Sequence, residues 1–352
     1  MKLLVLLSAF ATLPMCGDGR LVAGSTTFCT CNALNDTLLT FSAGPKGIAL
    51  VKREALLSRE ARVLDIIRMP RRNGLAVLYR AGPARKVAFL REPGLKPVWS
   101  ESVSKDAQRI CCDVGNERVF VVGYSRVERI DWFDSAPRHS RQVGVTSVPN
   151  EPHMGAAVGS NGTLYVSFVG SVSDSTGGGL FEFPAGGKVG ARVLHKMADG
   201  VWAVVASEDH RLIAALGYGE SVSVIRGSGR KWSKSCMALP RYSMPVSGSI
   251  SPDNTRMIVA DSTGHFLFFN IRAGTLGRPI QTPKLVGAYP QMTVDWSRDI
   301  LCAMDDDSSD HYHAYNHLSA YHVLGTSLRR LSTPMNLMKE GHLLVLDSQS
   351  GF

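Results

Sequence analysis

The sequence predicts an all-β fold, a seven-bladed β-propeller closed by pairing its N- and C-terminal strands in one blade. Three observations lead there. Helical spacing is almost absent, and only residues 54–67 can be read that way. The rest of the chain is short apolar runs broken by Gly, Asn, Asp and Pro, the pattern of strands joined by tight turns. These runs also recur as one unit at a near-constant interval, the signature of a repeat architecture.

The unit is a small-and-apolar strand, a polar turn, and a strongly β-prone strand. It reads Gly248-Ser-Ile-Ser-Pro-Asp-Asn-Thr-Arg-Met-Ile-Val-Ala-Asp261 in one copy and Gly155-Ala-Ala-Val-Gly-Ser-Asn-Gly-Thr-Leu-Tyr-Val-Ser167 in another. It returns at residues 66–78, 110–122, 204–215 and 292–303, with a partial copy at 337–346. A third strand follows at 127–133, 180–183, 221–225, 265–271 and 319–324. First strands begin near Val63, Ala107, His153, Val201, Val246, Pro290 and Pro334. The spacing is about 43 to 48 residues, the length of a four-stranded blade. Six complete units occupy residues 62–331, the seventh stops after two strands, and residues 27–51 supply the strands it lacks. Sharing one blade between the chain ends removes exposed sheet edges.

Ahead of the repeat, Lys2 precedes an apolar run over residues 3–13, and small residues follow at Gly17, Gly19, Ala23 and Gly24. This is the layout of a secretory leader, with a buried first strand as the alternative. The expected organisation is a leader over 1–19, with cleavage as late as 24, and a single propeller domain over 25–352. The mature protein is then secreted and extracellular. No later apolar run is long enough to span a membrane.

Cys29, Cys31, Cys111, Cys112, Cys236 and Cys302 remain once the leader is removed. In an oxidising compartment they are expected to form disulfides, with pairing open, and buried free thiols are the alternative. Asn35-Asp36-Thr37 and Asn161-Gly162-Thr163 are glycosylation sequons, marking Asn35 and Asn161. The net charge of +9 is spread along the chain, and Arg71-Arg72 and Arg329-Arg330 are only short pairs. Without a basic helix or an aromatic-interleaved basic patch, nucleic acid is not an expected partner. A monomer is expected.

In a propeller, the loop before each inner strand and the loop between its second and third strands open on one face. Residues that precede or open the inner strands therefore converge there: Arg62, Gln108, Arg109, Glu151, His153, Trp202, Tyr242, Tyr289 and Gln291. Polar and aromatic groups over a central channel form the default ligand site. Trp202, Tyr242, Tyr289 and Gln291 are the expected ligand-binding residues. The loop over 305–317 opens on the same face and carries Asp307, Asp310, His311 and His313. Carboxylate oxygens suit hard cations and imidazole suits zinc or copper, so these four are the candidate ligands of a divalent metal. The other reading is a solvated acidic loop.

Asn150-Glu-Pro-His-Met154 followed by Gly162-Thr-Leu-Tyr-Val166 resembles a blade of the lactonase-like propellers. That group spans 6-phosphogluconolactonase-type enzymes, fungal carboxymuconate-cyclising enzymes and non-enzymatic YVTN-repeat surface proteins. Gly217-Tyr-Gly-Glu-Ser-Val-Ser-Val224 and Ser251-Pro-Asp253 are similar to the same group. The resemblance implies a substrate-binding or acid/base role for His153, with Arg109 as an anion clamp. Family enzymes also carry a glutamate in an Asn-Glu-Leu run and an arginine in a Pro-Arg-His run. Here only a displaced Glu220 stands near the first, and the second reads Pro245-Val246-Ser247.

The expected function is a secreted binding protein that presents a loop face to a partner protein, glycan or small ligand, with host interaction as one setting. The alternative is a lactonase- or cyclase-like enzyme acting on a small lactone or cyclic acid in the central channel, with His153 and Arg109 as its catalytic pair.

Overall fold

The computed structural model describes residues 7–10, 26–32, 37–55, 57, 61–69, 72, 74–91, 95–113, 117–124, 126–133, 136–145, 154–159, 162–168, 179–183, 192–196, 200–207, 209, 211–228, 231–241, 243–306, 317–336 and 344–345. Their regular structure is strand, arranged in seven antiparallel sheets. Sheet 1 holds β1 (Leu7–Phe10), β2 (Thr26–Asn32), β3 (Thr37–Gly44) and β4 (Gly47–Ala55). Sheet 2 holds β5 (Ala61–Met69), β6 (Gly74–Ala81), β7 (Ala84–Arg91) and β8 (Lys96–Val103). Sheet 3 holds β9 (Ala107–Asp113), β10 (Arg118–Gly123), β11 (Arg126–Phe133) and β12 (Ala136–Val145). Sheet 4 holds β13 (Met154–Val158), β14 (Leu164–Phe168), β15 (Gly179–Phe183) and β16 (Arg192–Lys196). Sheet 5 holds β17 (Val201–Ala206), β18 (Leu212–Gly217), β19 (Ser221–Ser228) and β20 (Lys231–Ala238). Sheet 6 holds β21 (Pro245–Ile250), β22 (Arg256–Asp261), β23 (Phe266–Arg272) and β24 (Thr275–Leu276), with β25 (Ile280–Gln281) also on β23. Sheet 7 holds β26 (Ala288–Asp295), β27 (Ile300–Asp306), β28 (His317–Leu324) and β29 (Ser327–Arg330), with β30 (Met335–Asn336) also on β28. Finally β31 (Leu344–Val345) returns to β2.

The second strand of each unit is buried on both faces, as Leu212–Gly217 illustrates, and this explains its continuous apolar run. Each sheet packs on the next. Leu78 and Phe89 of sheet 2 meet Ile110 and Val121 of sheet 3, and Cys111 and Val122 meet Leu164 and Val166 of sheet 4. Tyr165 meets Ile213 of sheet 5, Leu216 meets Val259 of sheet 6, and Phe266 meets Tyr321 of sheet 7. Leu39 and Phe41 of sheet 1 share one cluster with Leu75 and Val77 of sheet 2 and with Cys302 and Met304 of sheet 7. First strands lie beside first strands. The Ile110 N–H of β9 donates to Asp65 Oδ2 of β5 at 2.7 Å, and Ser247 Oγ of β21 donates to the Pro290 carbonyl of β26 at 2.8 Å. Both contacts join first strands of consecutive sheets one repeat apart, which sets these neighbouring sheets side by side in the same direction.

The turns at the opposite end are held by their own side chains. Ser251 Oγ donates to Asp253 at 2.5 Å, and the Arg256 N–H donates back to Ser251 Oγ at 2.9 Å. Ser207 and Asp209 repeat this arrangement in sheet 5. Short polar residues close such turns because their oxygens satisfy backbone N–H groups that the hairpin leaves unpaired.

The structure corrects several expectations. Residues 54–67 are not helical where described: Glu54 and Ala55 end β4, and Ala61 begins β5. No new first strand starts at Pro334. The four-residue β29 leaves part of the β28 edge open, and Met335–Asn336 pairs there with Leu318 and His317. Beside these corrections, Leu7–Phe10 pairs as a strand with Thr27–Thr30 of β2, and β31 continues along the same edge at Cys31 and Asn32. Cys111, Cys112, Cys236 and Cys302 take part in no disulfide, against the expectation for them. Cys111 and Cys112 are consecutive in a strand and so face opposite sides of the sheet. Cys302 is sealed in the cluster between sheets 7, 1 and 2, and Cys236 lies exposed on an outer strand.

Candidate functional site

The inner strands share a local device at the end where the loops open. The ladder skips a residue between Val63 and Asp65 in β5, and again between Val201 and Ala203 in β17 and between Pro245 and Ser247 in β21. It skips Gln108 in β9, and both Tyr289 and Pro290 in β26. A bulge adds unpaired residues and re-aims their side chains. Trp202 and Tyr289, both singled out from the sequence, are bulge residues.

Their surroundings form one aromatic group. The Trp202 ring stacks on Tyr218, with centroids 5.8 Å apart and planes 29° apart. Tyr218 follows β18 in the loop before β19 and is 42% exposed. Trp202, Met244 and Tyr289 each pack against the cluster between sheets 6 and 7 that includes Val246, Phe266 and Val294. Tyr289 has φ +50, in the left-handed region that side chains other than glycine seldom adopt. Its N–H donates to the Ser262 carbonyl at 3.0 Å, which ties the bulge to the loop after β22. Gln291 sits at the first paired position after the bulge, opposite Met304, and is half-buried.

Arg109 belongs to a different grouping. It lies opposite Val122 in β9, and its charge acts on Asp65 of the neighbouring inner strand. Asp65 is 1% exposed and accepts two backbone N–H bonds, from Ile66 and Ile110, each at 2.7 Å. Burial pushes its carboxyl up to about 7, while Arg109 and the two N–H donors pull the other way. With both oxygens engaged by backbone, Asp65 is a joint between inner strands and not a reagent facing a ligand.

His153, Tyr242, Asp307, Asp310, His311 and His313 lie outside the described residues, as do the sequon asparagines Asn35 and Asn161. The base of the acidic loop is described. Asp305 and His317 stand opposite each other where β27 ends and β28 begins, with Oδ1 and Nδ1 3.5 Å apart. The other Asp305 oxygen accepts the Gly287 N–H at 2.6 Å. Among the described residues, no three His, Cys, Asp or Glu side chains converge as metal ligands would.

At the opposite end, a cleft of about 380 Å³ lies between sheets 5 and 6, lined by Asp209, Arg211, Asp253 and Asn254. Asn254 Nδ2 donates to Asp209 Oδ2 at 2.8 Å, and Ser251 and Thr255 hold the Asp253 carboxyl below its usual range. These carboxylates serve their turns. Sequence reasoning missed Tyr218, Met244 and Asp65. The signals were present: a tyrosine between two glycines, and a lone acid inside the apolar run Val63-Leu64-Asp65-Ile66-Ile67.

No family model matches the sequence, and no curated protein matches it. Solved structures do match. A protein from Lactobacillus plantarum is 12% identical, with a TM-score of 0.66 over 92% of this chain and 97% of that one. A putative 6-phosphogluconolactonase from Bacteroides uniformis gives the same identity, coverage and score. Hydrazine synthase of Kuenenia stuttgartiensis is 12% identical, with a TM-score of 0.60 over 85% of this chain and 95% of that chain. At such identities the likeness establishes the β-propeller fold and carries no activity with it.

Proposed function

We propose that the chain is a secreted seven-bladed propeller that binds a partner protein, glycan or small ligand on its loop face, through the aromatic group of sheets 5 to 7. The observation that carries this is the Trp202–Tyr218 stack, part buried on a rigid core and part open to solvent. Aromatic side chains offer a large contact area at little entropic cost, and those in well-packed settings dominate binding energy. Ring closure is supported by the cluster at Leu39 and Phe41, which spans sheets 7, 1 and 2. Export is supported by the leader-like composition of residues 1–19. A divalent metal held by Asp307, Asp310, His311 and His313 is part of the same reading, supported by the donor types that the sequence places in this loop.

The test is a thermal-shift screen of the leader-free chain against a glycan panel, sugar lactones, muconate-type acids and divalent metals. A ligand that binds only the native state raises the melting temperature by mass action. The expected result is a shift that Trp202→Ala or Tyr218→Ala removes, with affinity weakened by about 2 kcal/mol or more, as at other aromatic hot spots. The control Arg211→Ala, at the opposite end, should retain it. A shift that survives both aromatic changes sinks the reading. If that shift instead comes from a lactone and vanishes in Arg109→Ala, the enzyme reading takes its place.

A further inference from the structure

We propose that the loop end of sheet 2 binds a ligand bearing two or more sulfate or phosphate groups, on a row formed by Arg62, Arg80 and Arg85. The row is a product of register. Arg62 of β5 stands directly opposite Arg80 of β6, which stands directly opposite Arg85 of β7. Residues directly opposite in antiparallel strands share one face of the sheet, and neighbouring strands lie about 4.8 Å apart. Three guanidinium stems therefore leave one face within about 10 Å.

Like charges placed directly opposite destabilise a sheet, so this row costs stability unless anions answer it. The described protein groups answer it only in part. Arg85 donates to the Ala107 carbonyl of the next sheet. Burial lowers its pKa, Tyr124 and Asp106 oppose that, and Arg80 adds to it. Asp106 is itself bonded by Ser104 Oγ. Arg80 is exposed, and its Nε donates to the Gly82 carbonyl at 2.8 Å, which anchors the side chain and leaves its terminal nitrogens for a ligand. Arg62 is exposed, and neither it nor Arg80 forms an ion pair with a described carboxylate. A planar guanidinium fork matches sulfate and phosphate oxygens in pairs, and adjacent forks select a ligand with several such groups. The site stands on sheet 2 and does not depend on the aromatic group of sheets 5 to 7.

The test is isothermal titration of the full chain with sucrose octasulfate and, separately, inorganic tripolyphosphate, in about 0.1 M salt to screen diffuse attraction. Saturable binding of either probe is expected, and the preferred probe tells sulfate from phosphate. The double variant Arg62→Ala with Arg80→Ala should weaken binding at least about tenfold. The double variant Arg91→Ala with Lys96→Ala removes the same charge from a cross-strand pair at the far end of sheet 2 and should change binding less than about threefold. Arg62→Gln alone, an exposed change that relieves like-charge repulsion, should weaken binding while the melting temperature of the free protein does not fall. Absence of saturable binding, equal losses in the two double variants, or an unchanged affinity in Arg62→Gln overturns the proposal.

Discussion

Asp65 shows how a single side chain can join two sheets. Its two oxygens accept N–H groups from its own strand and from the next inner strand, a link that no contact within one repeat supplies. Burial raises its carboxyl from 3.8 to about 7, against the pull of Arg109. Between about pH 4 and pH 7 the native chain holds a proton that the unfolded chain has released. The stability this group contributes is therefore full below about pH 4 and is lost as pH rises through 7. Asp65→Ala leaves the Ile66 and Ile110 N–H groups without their acceptor, at a cost of about 1–3 kcal/mol. Urea unfolding of wild type and Asp65→Ala should show the larger difference at pH 5 and a smaller one at pH 8. A difference that grows with pH would contradict the assignment.

At the scale of the element, the loop between β22 and β23 positions much of the aromatic group. Asp261 accepts the Thr263 and His265 N–H groups at 2.9 and 3.0 Å, and the Ser262 carbonyl receives Tyr289. Gly264 makes this geometry possible. Its φ is +94, and a Cβ there would stand 2.2 Å from the Val286 carbonyl oxygen and 2.7 Å from that of Gly287. The Gly264 carbonyl in turn receives the Leu285 N–H at 3.0 Å, so the loop fixes the linker into sheet 7. Gly264→Ala should destabilise the chain by at least about 2 kcal/mol, through strain and a steric clash together. It should also displace Tyr289, whereas Gly82→Ala, with open space at its Cβ, should act through strain alone. Denaturant midpoints of the two variants decide this, and equal losses would show that the clash has no consequence.

At the scale of the molecule, the question is how sheet 1 is completed. The inner edge of β2 is shared by β1, which the sequence assigns to a removable leader, and by β31 from the other end of the chain. A chain without residues 1–19 loses β1 and should rely on the C-terminal strand to cover that edge. Deleting residues 344–352 should therefore lower the melting temperature more in the leader-free chain than in the full one. An exposed strand edge also templates association, so the doubly shortened chain should aggregate on heating. Equal effects in the two backgrounds would show that β31 has no closing role.

The sequence by itself determined what repeats. Four-stranded units, their inner strands and their side-chain-closed turns were legible because burial of each sheet on both faces writes apolar runs at a fixed interval, and tight turns demand Gly, Asp, Asn or Ser. It also placed Trp202 and Tyr289 at the mouths of inner strands, because that position follows from the period. It did not show that both lie in bulges, that Tyr218 stacks on Trp202, or that Asp65 reaches Ile110. Nor did it reveal Arg62, Arg80 and Arg85 as a row. Cross-strand register depends on hydrogen bonding between segments many residues apart, and partners in neighbouring sheets are about 45 residues away in a repeat of this kind. Local pattern carries the period, and only tertiary packing decides which side chains meet.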